Sequence, residues 1–183
     1  MSTSEIIGIV LTVVFGIPSV IGLLQSLPSR LTLLMDERLN LYSNVSKNIQ
    51  GLDITFKGNK INKDFYLIKA SFFYQGRKDV LKEQINQPLS LELPEGSIIH
   101  DFNILSKEQN LDITVEVRGN QLLFDFDLLK NSDYIYFQIF AEIGDFIEDK
   151  LVARHRIANV NKKIKTIRYI DYEIMPKKLF GNC

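Results

Sequence analysis

"LDITVEVRGNQLLFDFDLL", Leu111 to Leu129, decides the fold class. Leu111, Ile113, Val115 and Val117 recur at every second position, the period of a strand with one buried face. "RGN" (Arg118 to Asn120) supplies turn residues, and Leu122, Phe124, Phe126 and Leu128 return with the same period. Two alternating runs around a Gly-containing turn predict an antiparallel hairpin. The same alternation sends Asp125 and Asp127 to the side opposite Phe124 and Phe126.

Working outward, the pattern repeats. "DYIYFQIFAEI" places Ile135, Phe137, Ile139 and Ala141 on one side. "FYLIKASFFY" (residues 65–74) is apolar on both faces, as expected of a central strand. "QGRKD" reads as a turn, and "QPLSLELPEG" alternates at Leu89, Leu91 and Leu93 between two prolines. "GLDITFKGNKI" alternates at Leu52, Ile54 and Phe56 and turns at Gly58-Asn59. In "RLTLLMDERLNLY" Leu31, Leu33, Met35, Leu39 and Leu41 share one parity, although propensity also allows a helix over 31–49. "KLVARHRIANV" and "KTIRYIDYEIM" read as two further strands. Short strands at near-regular spacing with Gly, Asn and Pro turns predict an all-β domain: a β-sandwich, Ig-like, or a small barrel.

The residues before this domain obey another rule. Ile6 to Leu24, "IIGIVLTVVFGIPSVIGLL", holds no charged side chain, and the uncharged run continues to Ser29. About 20 residues at ~1.5 Å each cross a hydrocarbon core of roughly 30 Å. The basic n-region and A-x-A cleavage site of a secretory signal are missing. The expectation is one N-terminal transmembrane α-helix over 6–27, after a short extracytoplasmic segment 1–5 and before a cytoplasmic domain 28–178 and a tail 179–183. Arg30, Arg38 and Lys47 follow the helix and no Lys or Arg precedes it, so the positive-inside rule puts the domain in the cytoplasm. The sequon at Asn44 then has no role. Gly8, Thr12 and Gly16 line one face, and Gly22 and Ser26 repeat the spacing; with Pro18 and Ser19 they form a small and polar edge. Such rows allow close helix contact in lipid, or simply reflect how common Gly, Ser and Thr are in membrane helices. If the edge lined a pore, several copies would have to enclose it.

Chemistry-bearing residues are sparse. The chain has 22 basic and 22 acidic residues, two histidines and one cysteine, Cys183 at its last position. It carries no P-loop, GxSxG or HExxH pattern, so no catalytic residue, metal site or cofactor is expected. Asp125 and Asp127 resemble a paired-carboxylate cation site, but alternation makes a solvated face the better reading. His100 is expected in a structural role, at a strand edge or partly buried. Charge is unevenly placed: from Lys150 onward nine Lys/Arg face only Asp171 and Glu173. Arg154, His155, Arg156, Lys162, Lys163, Lys165 and Arg168 fall within fifteen residues, followed by Tyr169 and Tyr172. That cluster is read as a phosphate-binding site for a nucleotide or single-stranded DNA oligomer, with a solvated face or attraction to anionic lipid as alternatives.

One resemblance organises these features. "LDITFKGNKI", then "DFYLIKASFFYQGRKDV" with Gly76 and Asp79, the strand at Pro88, and "LLKNSD" ending at Asp133 form a recognisable series. It resembles bacterial single-span membrane proteins with a cytoplasmic β-sandwich from antiviral defence operons, and in size and plan the Hailong-type membrane effectors. The resemblance implies a homo-oligomeric, tetrameric channel in the inner membrane. It also implies a nucleotidyltransferase-like partner and control by single-stranded DNA oligomers. It supplies no site residues.

Overall fold

The computed structural model describes residues 29–42, 53–144 and 151–168. Among these the protein is all-β. Its strands are β1 (Arg30–Asn40), β2 (Thr55–Phe56), β3 (Asn59–Lys60), β4 (Phe65–Gln75), β5 (Val80–Leu81), β6 (Ile85–Glu92), β7 (Ile98–Lys107), β8 (Ile113–Arg118), β9 (Gln121–Phe126), β10 (Leu128–Leu129), β11 (Tyr134–Glu142), β12 (Val152–Ile157) and β13 (Lys165–Arg168). One 3-10 turn, Lys82–Gln84, interrupts them. No helix among the described residues is long and apolar enough to cross a membrane. The segment 6–27, with Gly8, Thr12, Gly16, Pro18, Ser19, Gly22 and Ser26, lies outside them, as do Asn44, Tyr169, Tyr172 and Cys183.

Two sheets make a sandwich-like pair of layers. The larger has the order β13-β1-β4-β11-β7 and the smaller β12-β6-β9-β8. The doubly apolar run 65–74 does become a central strand, with β1 on one side and β11 on the other. Phe124 of the smaller sheet is fully buried against Phe72, Phe102 and Phe137 of the larger, at ring-centroid distances of 5.2, 6.1 and 5.3 Å. Leu31, Leu33, Leu89, Leu91, Leu93, Leu122 and Ile139 complete the interior. Packing between two alternating faces is what the period-two pattern requires.

Local chemistry explains the turns and the exceptions. The deciding hairpin closes through Gly119-Asn120, with Arg118 opposite Gln121 and a positive φ of 61° confined to Gly119, the pattern of a II′ turn. The β2–β3 turn falls at Lys57-Gly58, one residue earlier than expected, with φ of 50° and 83° as a I′ turn demands. Residues 30–40 form a strand rather than a helix. A register shift between Met35 and Glu37 inserts Asp36 as a bulge. One extra residue reverses the parity of everything after it. Leu31 and Leu33 therefore point inward, whereas Leu39 is 44% exposed although the sequence gives it the same phase. Pro88, in an internal strand, sits where the β12–β6 register slips between Arg154–Ser90 and Arg156–Gln87. A bulge is one of the few sheet positions a proline tolerates.

A further bulge builds a polar cluster on the outer face of the larger sheet. The β11–β7 register jumps between Phe140–Asp101 and Ala141–Ile99, so His100 joins Asp101 on the outer side. There His100 Nε2 lies 2.7 Å from Glu142 Oε1, while the backbone N–H groups of Asn62 and Lys63 each donate to Glu142 Oε2 at 3.0 Å. Burial pushes the Glu142 carboxyl up, but those two amides and His100 outweigh it and hold the group below the usual range. Phe56, Phe65 and Phe140 pack over the pair, and Lys57 bonds Asp101 at 2.9 Å. The cluster clamps the β2–β3 hairpin onto the sheet, the structural role expected for His100.

Candidate anionic-ligand edge and its junction with the N-terminal segment

The basic segment runs along one edge of both sheets. β12 is the outermost strand of the smaller sheet and β13 of the larger, so residues 158–164 carry the chain from one layer to the other. The crossing is fixed by its own backbone. Ala158 N–H donates to Gln84 O, Asn159 takes a φ of 62°, and Val160 bridges Ser29 in parallel. Asn161 N–H then donates to Ser29 O at 2.7 Å.

His155 belongs to this scaffold rather than to a ligand surface. It is 8% exposed; Nε2 donates to the Asn161 carbonyl at 2.9 Å and Nδ1 accepts from Ile157 N–H at 3.3 Å. One donating and one accepting nitrogen define a neutral imidazole. Burial holds its pKa below the ordinary histidine value. Grouping it with the phosphate ligands is therefore corrected: alternation along β12 turns it inward between two outward arginines.

The other six residues are exposed but do not share one face. Arg154 stands opposite Ser90 on the outer side of the smaller sheet, with Arg156 two residues along, and Arg154 reaches Glu92 at 3.3 Å. Lys165 stands level with Thr32 on the outer side of the larger sheet, and Arg168, level with Met35, takes the opposite side of β13. Lys162 and Lys163 occupy the crossing between them. Packed sheets lie about 10 Å apart, so the cations wrap around the edge of the sandwich instead of converging on a point. A single phosphate meets few of them; an extended polyanion lying along the edge meets most.

The edge ends at a built junction. Ser29, directly after the uncharged run, is 8% exposed and held from three sides. Val160 and Asn161 pair with its backbone, the hydroxyl of Tyr74 hydrogen-bonds its side chain, and Gly76 lies against its Oγ. Tyr74 is 1% exposed and also donates to Lys78 O at 2.5 Å, which fixes the 76–79 loop. Its phenol pKa is raised by burial, a shift that the Ser29 hydrogen bond reduces and the charge of Asp79 enlarges. Asn131 Oδ1 accepts from Gly76 N–H at 3.2 Å, drawing in the 130–133 turn, where Asp133 Oδ2 accepts Lys130 N–H at 2.6 Å. Gly76 and Asp133, two marks of the family resemblance, thus build the fold at this point. Sequence reading missed the junction because its parts lie up to about 130 residues apart and follow no local pattern.

Elsewhere the charges neutralise one another. Lys82 Nζ sits between Asp127 Oδ1 at 2.8 Å and Asp125 Oδ2 at 3.4 Å, an ammonium where a paired-carboxylate site would hold a metal. No group of three or more metal-ligating side chains occurs among the described residues. An open groove of about 410 Å³ on the outer face of the smaller sheet has Val115 and Leu123 in its lining, with Lys82, Asp125, Glu116 and Arg118 in two ion-paired sets.

Comparison of the chain with known protein families, with curated proteins and with solved structures gives no match.

Proposed function

We propose that this chain is a non-catalytic membrane effector of a bacterial antiphage, abortive-infection system. It is anchored in the inner membrane by residues 6–27 with its β-sandwich in the cytoplasm. Several copies, four by the family resemblance, form an ion channel or membrane-disrupting pore through helices that meet along Gly8, Thr12, Gly16, Pro18, Ser19, Gly22 and Ser26. A single-stranded DNA oligomer or nucleotide, supplied through a nucleotidyltransferase-like partner, controls the assembly from the edge bearing Arg154, Arg156, Lys165 and Arg168. The wrapped arrangement of these cations favours the oligomer over the mononucleotide.

One observation carries the reading: the basic edge and the end of the apolar segment share a backbone joint at Ser29, Val160 and Asn161. A ligand that favours one setting of the edge biases the joint by its differential affinity for the two settings, which is all that regulation requires.

The test uses the full chain in liposomes. Single-stranded oligodeoxynucleotide binding is measured against salt concentration, alongside ion flux. Replacing Arg154, Arg156, Lys165 and Arg168 with Ala lowers the slope of log K on log salt by roughly 2 to 3, at about 0.7 per phosphate contact on single strands. Gly16→Leu abolishes flux. Identical binding in the quadruple variant overturns the ligand assignment. Flux that survives bulky residues at Gly8, Thr12 and Gly16 overturns the helix contact, and absence of both binding and flux leaves a passive membrane-tethered interaction module.

A further inference from the structure

We propose that the end of the domain surrounding Ser29 is a docking surface for anionic phospholipid headgroups, distinct from the ligand-binding edge. The inference rests on the membrane-anchored reading above and assigns Lys162 and Lys163 to lipid.

Four separated segments meet at this end. Arg30 opens β1; Arg77 and Lys78 lie on the loop that Tyr74 and Gly76 press against Ser29; Lys130 starts the turn that Asn131 ties to Gly76; Lys162 and Lys163 follow the Val160 bridge. All six side chains are exposed. These segments contribute two acids, exposed Asp79 and buried Asp133, whose carboxylate is occupied by the Lys130 amide; Glu83, Glu108, Asp112 and Asp127 stand at the same end of the sandwich with Lys82 and Lys107, and Lys82 pairs with Asp127. The far end of the sandwich is richer in acids. There Lys60 pairs with Asp53, Lys57 with Asp101, and Lys63 reaches the Gly96 carbonyl beside Asp64, Glu95 and buried Glu142. Basic residues thus outnumber acidic ones around Ser29, where the uncharged run enters, and acidic residues outnumber basic ones at the far end.

Position makes lipid the partner this end fits. Ser29 is the first residue past a run long enough to cross a bilayer, so headgroups lie within a few ångströms of it whenever that run is inserted. A basic residue at an anionic leaflet contributes about a fivefold gain in partitioning, and the six exposed cations lie on segments that meet at the entry point of the uncharged run. Contact there sets the domain upright against the membrane and leaves the β12–β13 edge open to a ligand from the side.

The experiment uses the full chain, with Cys183→Ser and a fluorophore on the thiol of Ala158→Cys, in the exposed turn beside Val160. It is reconstituted into phosphatidylcholine vesicles, and into vesicles with a third of the lipid replaced by phosphatidylglycerol, each containing a headgroup quencher. Flotation is scored in parallel. The expected result is flotation with both vesicles and quenching at least about threefold stronger with phosphatidylglycerol. High salt should remove that difference, as should Lys78→Glu, Lys130→Glu, Lys162→Glu and Lys163→Glu combined, at unchanged near-ultraviolet circular dichroism. Flotation with equal quenching in the two lipids overturns the docking surface and leaves the anchor standing. No flotation overturns the anchor and the surface with it. If quenching is lipid-independent, and a single-stranded oligodeoxynucleotide perturbs the fluorophore in detergent for the parent but not the Glu variant, this end serves nucleic acid and the proposal fails.

Discussion

Replacing Gly76 with Ala tests the junction most directly. A Cβ at this position would fall far inside contact distance of Tyr74 Oη and Cζ, and 2.5 Å from Ser29 Oγ. Tyr74 cannot swing away cheaply, because its ring is 1% exposed and its hydroxyl is bonded to Lys78 O. Overpacking a close-packed site costs about 1–3 kcal/mol. Displacing the Tyr74 hydroxyl from its partners adds about 0.5–1.5 kcal/mol. The sum, about 2–4 kcal/mol, corresponds to a Tm lower by roughly 5–15 °C for a chain of this size. The chain has no tryptophan, so unfolding is followed by tyrosine fluorescence or near-ultraviolet circular dichroism of the full chain. Tyr74→Phe removes the atom that clashes first, so the combined variant should be less destabilised than the two singles added together, by at least about 1 kcal/mol. Additivity within about 0.5 kcal/mol, or a Gly76→Ala protein as stable as the parent, would refute the account of how Ser29 is held.

Other predictions address the core, the bulge and the acid response. Phe124→Ala should cost about 3–5 kcal/mol, because a fully buried ring between Phe72, Phe102 and Phe137 leaves a cavity; a loss under about 1 kcal/mol would contradict the two-layer packing. Leu39→Lys should change stability by less than about 0.5 kcal/mol, whereas Leu33→Ala should cost about 2–5 kcal/mol. Equal losses would mean that Asp36 does not reverse the strand's parity. Glu142 has a folded pKa below its unfolded value, so its contribution is present above about pH 4.3 and lost as pH falls through the lower folded value. Glu142→Gln should flatten that part of a stability titration. His155 is also depressed, so it contributes above about pH 6.5 and loses that contribution as pH falls through its lower folded value. A His155→Asn titration that keeps the parent's slope below pH ~6.5 would show that the ring is not held neutral.

Local chemistry carried most of the fold. Period two at Leu111 to Leu129 marked the hairpin, and the doubly apolar run 65–74 marked the central strand, because a strand's two faces read directly onto alternate residues. Alternation likewise placed Asp125 and Asp127 outside. Parity fails wherever a residue is inserted, and nothing local marks the insertion. Leu39 and Leu41 therefore reached the outer side of the sheet although their phase matched Leu31. The β2–β3 turn moved by one residue for a related reason, since Lys57 takes a positive φ that composition alone would give to Gly58-Asn59.

The basic cluster shows the same division. Sequence density gathered Arg154 to Arg168, because charge per residue is a one-dimensional quantity. Register then split that cluster: His155 went into the interior, Arg154 and Lys165 to opposite outer faces, and Lys162 and Lys163 to the end. In their place the fold assembled Arg30, Arg77, Lys78, Lys130, Lys162 and Lys163 from four segments around Ser29. By itself the sequence determined an all-β domain behind a long uncharged run and an uneven supply of charge. Tertiary structure alone decided which charges meet, because proximity across sheets depends on strand order and register, and neither is written in any one stretch of chain.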